Sequence, residues 1–198
     1  MIPNFTVVYD ACVLYPNTLR DLLMELAQGI RPDRRLTTTS QLCCAKWTDE
    51  IHDEWIRNLK QNKPDLPTKK LYRVRDLMNE NVRDCLVTDY QWLIEKLNLP
   101  DPNDRHVLAA AIQAKAEVIV TNNLKDFPQS ELDKYNIEAQ HQDTFITNLV
   151  DLHPLQVIDA VQKCHQRRKK PPCTFEEYLM RLQKQELPNT VSMIKDML

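Results

Sequence analysis

Several acidic side chains stand where ordered elements should begin or end. Phe5-Thr6-Val7-Val8-Tyr9 is an apolar run closed by Asp10, and Asp101-Pro102-Asn103-Asp104 opens an alanine-rich stretch that leads into Val118-Ile119-Val120-Thr121. Between them lie Glu50 and Glu54, and Asn122, Asn123 and Asp126 follow the last apolar run. Carboxylates gathered at one place, with no histidine or cysteine in the set, suit a hard divalent cation such as Mg²⁺ or Mn²⁺. A cation held that way, with open positions, lowers the pKa of a bound water and stabilises a leaving oxygen, which is the usual chemistry of phosphodiester hydrolysis.

Whether these acids meet depends on the elements that carry them. Residues 5–9 are β-branched and aromatic, as in a buried parallel strand. Asn17 can cap a helix whose face is Leu19, Leu22, Leu23 and Leu26, ending near Gly29. Residues 31–41 are polar and turn-like. Leu42 to Trp47 reads as a second strand, and Thr48 caps an amphipathic helix with Ile51, Trp55, Ile56 and Leu59 on one face. A proline-containing break precedes another helix over 69–80. Cys85-Leu86-Val87 is a candidate minor strand, and a helix is expected through Trp92, Leu93 and Leu97. Asp101 is a natural cap with Pro102 at the first position. Strand 118–121 follows, and a last edge strand is expected over 137–139. From Asp151 the pattern becomes helical, with helices over 154–168 and 174–185 and a Thr174/Glu177 capping box. The expected partition is a domain over 1–150 and a helical appendage over 151–198.

In a parallel α/β sheet, strand C-termini and the N-termini of the following helices share one edge, where open α/β folds place their sites. Asp10, Glu50, Glu54, Asp101, Asp104 and the Asn122-Asn123 pair all belong to that rim. Packing so many like charges together costs free energy unless a cation neutralises them or some take up protons. Each acid also has a plainer explanation. Asp101 and Asp104 suit helix capping, Glu50 and Glu54 suit a solvated helix face, and Asp126 suits a turn before Phe127-Pro128. No single acid decides the matter; their shared edge does.

Composition narrows the alternatives. With 198 residues and 42% hydrophobic content, the chain can bury one sizeable core and a smaller appended unit. No apolar stretch approaches a membrane span, and no secretory signal is visible, so a soluble cytoplasmic protein is expected. Six cysteines without a Cys-x-x-Cys pair point to reduced thiols. The single glycine, Gly29, excludes a glycine-rich phosphate loop or dinucleotide fingerprint. A net charge of -2 gives no global positive field, so nucleic acid would be met through local patches or metal bridges. The basic run over 166–170 reads as a solvated helix terminus. Trp47, Trp55 and Trp92 read as core residues and not as base-stacking platforms.

Four stretches together resemble the PIN domain family: Val7-Val8-Tyr9-Asp10; Trp47-Thr48-x-Glu50-Ile51-x-x-Glu54-Trp55; Leu99-Pro100-Asp101-Pro102-Asn103-Asp104-Arg105-His106-Val107; and Ile119-Val120-Thr121-Asn122-Asn123-Leu124-Lys125-Asp126. The resemblance is nearest to the VapC-like toxins and covers about residues 5–150, and the helical tail is similar to an extension carried by one subgroup. It implies a three-layer α/β/α fold with a central parallel sheet and a metal-dependent endoribonuclease using Mg²⁺ or Mn²⁺, the toxin of a toxin–antitoxin pair. An RNA substrate, a cognate antitoxin and a homodimer are the partners it implies. Asp10 and Asp104 match the family's acids, and Glu54 matches the helix glutamate with Glu50 as the alternative. The family's fourth acid falls at Asn123 here. Asp126 or Asp101 would compensate, with Thr121 and Asn123 orienting a ligand or water. The asparagine keeps a second reading open, that of a catalytically impaired RNA-binding or scaffold module. A phosphoacceptor domain ranks last, because no third strand ends in an aspartate.

Overall fold

The computed structural model describes residues 5–28, 42–169 and 171–198. The segment expected to be turn-like over 31–41, together with Gly29 and Lys170, lies outside them. The chain forms two compact units, residues 1–15 with 43–141 and residues 16–42 with 142–198.

The first unit is built on a parallel sheet of β1 (Thr6–Tyr9), β2 (Cys44–Lys46), β3 (Val118–Val120) and β4 (Glu138–Gln140), in the order β2-β1-β3-β4. β1 is central: Val7 pairs with Ala45 on one side and Val118 on the other. Val7, Val8 and Tyr9 are fully buried, as expected of β-branched and aromatic residues covered on both faces. The helices of this unit are α1 (Ala11–Leu14), α3 (Asp49–Asn62), α4 (Thr68–Asn81), α5 (Gln91–Ile94), α6 (Arg105–Gln113) and α7 (Gln129–Leu132). This is the expected α/β fold with a central parallel sheet and flanking helices. In α6 the run from His106 to Ala111 is wholly buried. Its three alanines let the helix lie close against β1 and β3, because axis separation follows the size of the side chains at the contact.

α3 starts where its sequence says it should. The Thr48 hydroxyl accepts from the Ile51 amide at 3.0 Å, satisfying one of the four donors a helix start leaves open. The buried face, Ile51, His52, Trp55, Ile56 and Leu59, repeats at helical spacing. A polar chain runs through this core. Asn79 Oδ1 accepts from Trp47 Nε1 at 2.8 Å and lies 3.0 Å from His52 Nε2, and His52 Nδ1 accepts from Trp55 Nε1 at 3.0 Å. Burial lowers the His52 pKa, so the neutral ring that serves as both donor and acceptor is favoured.

Four local expectations are corrected. Trp92, expected in the core, is 59% exposed, because α5 is a single turn whose inward residue is Leu93; the Lys96 ammonium lies 4.4 Å from the centre of its ring. The expected helix through Leu97 stops at Ile94. Cys85-Leu86-Val87 makes only an isolated bridge, Trp47 to Leu86. Asn17 is the first residue of its helix and not the cap before it.

The second unit comprises α2 (Asn17–Gln28), α8 (Gln142–Leu152), α9 (Pro154–Arg167), α10 (Phe175–Gln183) and α11 (Pro188–Asp196). α8 and α11 had no counterpart among the expected helices. The Thr174/Glu177 capping box is present, with bonds of 2.8 and 3.2 Å. The apolar face of α2 packs on α9, so a helix that follows β1 in sequence belongs with the C-terminal helices. Across that contact Arg167 meets the buried carboxylate of Glu25 at 2.6 Å. Asp143, buried on α8, accepts from the Asn189 amide at 3.0 Å and from the Thr190 amide and hydroxyl at 2.8 and 2.7 Å, capping α11 from a neighbouring helix. Among the described residues no helix is long and apolar enough to cross a membrane.

Candidate functional site

The site begins at the end of β1. The Asp10 amide donates to the Val120 carbonyl at 3.1 Å, continuing the β1–β3 ladder by one residue, and the Thr121 amide donates to Gln140 at 3.0 Å. Adjacent parallel strands ending at the same edge therefore set Asp10 beside Thr121. Asp10 is 4% exposed, and its Oδ2 accepts from the Thr121 hydroxyl at 2.7 Å and the Cys12 thiol at 2.9 Å. Burial raises the Asp10 pKa, these two bonds oppose the rise, and the nearby charge of Glu54 adds to it. The Cys12 thiol is itself pushed well up by burial and by Asp10, so it remains a neutral donor. The Asn123 amide donates to the Thr121 oxygen at 3.0 Å, and the Asn123 side-chain amide donates to Asp126.

Asp101 caps a short 3-10 turn over Pro102–Asp104, its Oδ1 accepting from the Asn103 amide and side chain, each at 2.9 Å. That cap presents Asp104 at the entry to α6. Asp104 Oδ2 is buried and has no hydrogen-bond partner. Burial is the main reason its pKa is pushed up to about 7, followed by the charges of Asp10, Asp101, Asp126 and Glu54. Five of the acids singled out from the sequence thus act on one another at this edge.

Glu54 lies one turn into α3 from Glu50. Its Oε2 is 3.3 Å from His106 Nε2, while Glu50 Oε2 accepts from the Tyr90 hydroxyl at 3.1 Å. Burial opposes protonation of His106, but the bond to Glu54 and the charges of Glu50, Glu54 and Asp10 outweigh it and raise the pKa. His106, Cys12 and Tyr90 escaped the sequence reading as site residues. The signal for two of them was there, since Cys12 and His106 each follow a key aspartate by two positions. Tyr90 had no such signal.

The donor set fits a hard cation. All the acids are oxygen ligands, and the buried, unpartnered oxygen of Asp104 faces a concentration of negative charge that a cation would relieve. Among the described residues no three acidic, histidine or cysteine side chains are already drawn together around one point.

Comparison with known proteins is consistent with this geometry. Residues 6–125 match the family described as PIN domain, and residues 142–196 match the family described as VapC50 C-terminal domain. A Mycobacterium tuberculosis (strain ATCC 25618 / H37Rv) protein named "Putative ribonuclease VapC50" is 56% identical over 50 residues, 25% of this chain and 30% of that protein. The aligned stretch thus spans under a third of that relative's length. No solved structure matches significantly.

Proposed function

This chain belongs to the PIN domain family, and from that premise we propose that it is a metal-dependent endoribonuclease, the toxin of a toxin–antitoxin pair. The observation that carries the reading is Asp104, whose buried oxygen has no partner and whose pKa is raised to about 7 by burial and by four neighbouring carboxylates. Such a cluster is stable with its protons removed only when positive charge joins it. In this reading Asp10, Glu54 and Asp104 hold Mg²⁺ or Mn²⁺, with Asp101 and Asp126 at the margin. The ion, when bound, supplies Lewis-acid activation of water and stabilisation of charge on the leaving oxygen.

The chain's own residues supply orientation. Thr121 and Cys12 hold the Asp10 carboxylate in one rotamer, and Asp101, by capping the 3-10 turn, sets the position of Asp104. Asp104, titrating near 7, can carry a proton at its free oxygen when no cation is present. Hydrolysis adds water across a phosphorus–oxygen bond, and the acid cluster repels the RNA backbone unless its charge is matched. The substrate is RNA, the regulating partner is a cognate antitoxin protein, and a cytoplasmic location and a homodimer follow from the same reading. Residues 151–198 are proposed as a helical extension of the 1–150 nuclease domain, with α2 and α8 grouped with that extension in the compact unit they share.

One observation favours a second reading, a catalytically impaired RNA-binding or scaffold module. Asn123 takes the place of a fourth acid and engages Asp126 through its side-chain amide. The two separate in one experiment. Purified protein is incubated with end-labelled RNA in Mg²⁺, in Mn²⁺ and in chelator, beside Asp10→Asn. New RNA ends only with wild type and metal support the nuclease. RNA binding without cleavage in either metal favours the module.

A further inference from the structure

Glu50 and Glu54 stand one helical turn apart on α3, and their spacing alone leaves either able to serve as the helix glutamate. Their surroundings differ. The Glu54 side chain is 27% exposed and meets His106 Nε2 at 3.3 Å, whereas Glu50 is 51% exposed and accepts from Tyr90. His106 is itself buried on α6, two residues after Asp104, so its ring cannot swing out to solvent. Its Nδ1 is buried without a hydrogen-bond partner, with Glu50 Oε2 4.0 Å away, beyond hydrogen-bond reach.

Whatever the protonation of the ring, Nε2 is the nitrogen within hydrogen-bond reach of a carboxylate, at 3.3 Å from Glu54, whereas Nδ1 stands 4.0 Å from Glu50. Tyr90 offers Glu50 the hydroxyl it takes instead. A carboxylate fixed through one oxygen still presents the other, and fixing it removes rotamer freedom that a ligand would otherwise lose on binding.

We propose that His106 is a positioning residue: donating from Nε2, it holds Glu54 toward Asp10 and Asp104, while Tyr90 holds Glu50 aside, so that Glu54 is the glutamate offered to the cation. The inference rests on the metal-site reading above and names the residue that selects its third ligand.

The test is calorimetric titration of the full chain with Mn²⁺, each variant first checked for folding by circular dichroism. His106→Ala should weaken Mn²⁺ binding by about 10–100-fold, the usual range for losing a group that orients a ligand. His106→Gln, whose side-chain amide can donate to Glu54, should recover most of that loss. In a Glu54→Gln background, His106→Ala should add nothing, and Glu54→Gln should lose more affinity than Glu50→Gln. If His106→Ala does not fold, His106→Asn takes its place, with an amide too short to reach Glu54. Wild-type affinity in the folded His106 variant overturns the inference, as does an undiminished loss in the Glu54→Gln background. A wild-type chain that binds no Mn²⁺ overturns the metal-site reading and this inference together.

Discussion

The Thr121 hydroxyl donates to the Asp10 carboxylate at 2.7 Å across 111 residues of sequence, tying the end of β3 to the end of β1 at the most buried acid of the site. It is the shortest of the bonds that hold Asp10 against its own desolvation. Thr121→Val preserves shape and removes the donor. The variant should lose about 1–3 kcal/mol of stability, the cost of leaving a buried polar group short of a partner. It should also bind Mn²⁺ about 10-fold more weakly. Urea unfolding and calorimetry measure the two effects.

The raised pKa of Asp104, about 7 against an ordinary 3.8, makes the metal-free fold sensitive to pH. The folded chain keeps a proton that the unfolded chain releases, so this contribution to stability is fully present below 3.8 and is lost as pH rises through about 7. Asp10 and His106 are shifted upward as well and act with the same sign. In chelator, the wild-type unfolding midpoint should drop as pH rises from about 4 to about 7. Asp104→Asn should flatten that fall, and Mn²⁺ should restore wild-type stability at the upper pH. Equal pH slopes for the two proteins would refute the assignment.

Asn123→Asp places a carboxylate where the resemblance to the family implies a fourth acid. It also removes the amide that donates to Asp126, leaving two acids face to face. The metal-free variant should be less stable by about 1 kcal/mol, one hydrogen bond's worth. It should bind Mn²⁺ more tightly, because affinity for a hard cation rises with ligand charge. Thermal melts with and without Mn²⁺ should therefore diverge more widely than for the wild type.

Asp143→Ala acts in the other unit. It removes three hydrogen bonds at the start of α11, those to the amides of Asn189 and Thr190 and to the Thr190 hydroxyl. A lost cap of this kind costs about 1–2 kcal/mol. Amide hydrogen exchange should show α11 opening first, while β1 and β3 keep their protection. Asp143→Asn, which retains an acceptor oxygen, should lose less.

Trp92 is exposed while Trp47 and Trp55 are buried to 0% exposure. Acrylamide should therefore quench the emission of one tryptophan class only. Trp92→Phe should abolish that quenchable fraction without changing the melting temperature appreciably.

The strands and the principal helices of the first unit were legible from local chemistry. β-branched runs flanked by caps and turns specify β1 and β3, and Thr48 and Asp101 mark the starts that the structure shows. Short pieces were harder to read. α5, the bridge at Leu86 and the exposure of Trp92 depend on what packs against them, and one turn of helix carries too little periodicity to reveal its inward face. α11 opens on Pro188, a local start signal the reading passed over, but the acceptor that caps it is Asp143, a residue distant in sequence.

By itself the sequence placed Asp10, Glu54 and Asp104 at one expected edge, because in a parallel sheet strand ends and the starts of the following helices share it. Tertiary structure alone decided what each carboxylate is bonded to. Whether Thr121 reaches Asp10, whether His106 turns to Glu54 or Glu50, and whether α2 packs on α9 are matters of side-chain reach and burial across long separations. Hydrogen bonds of about 3 Å are set by that packing, which no local pattern of residues encodes.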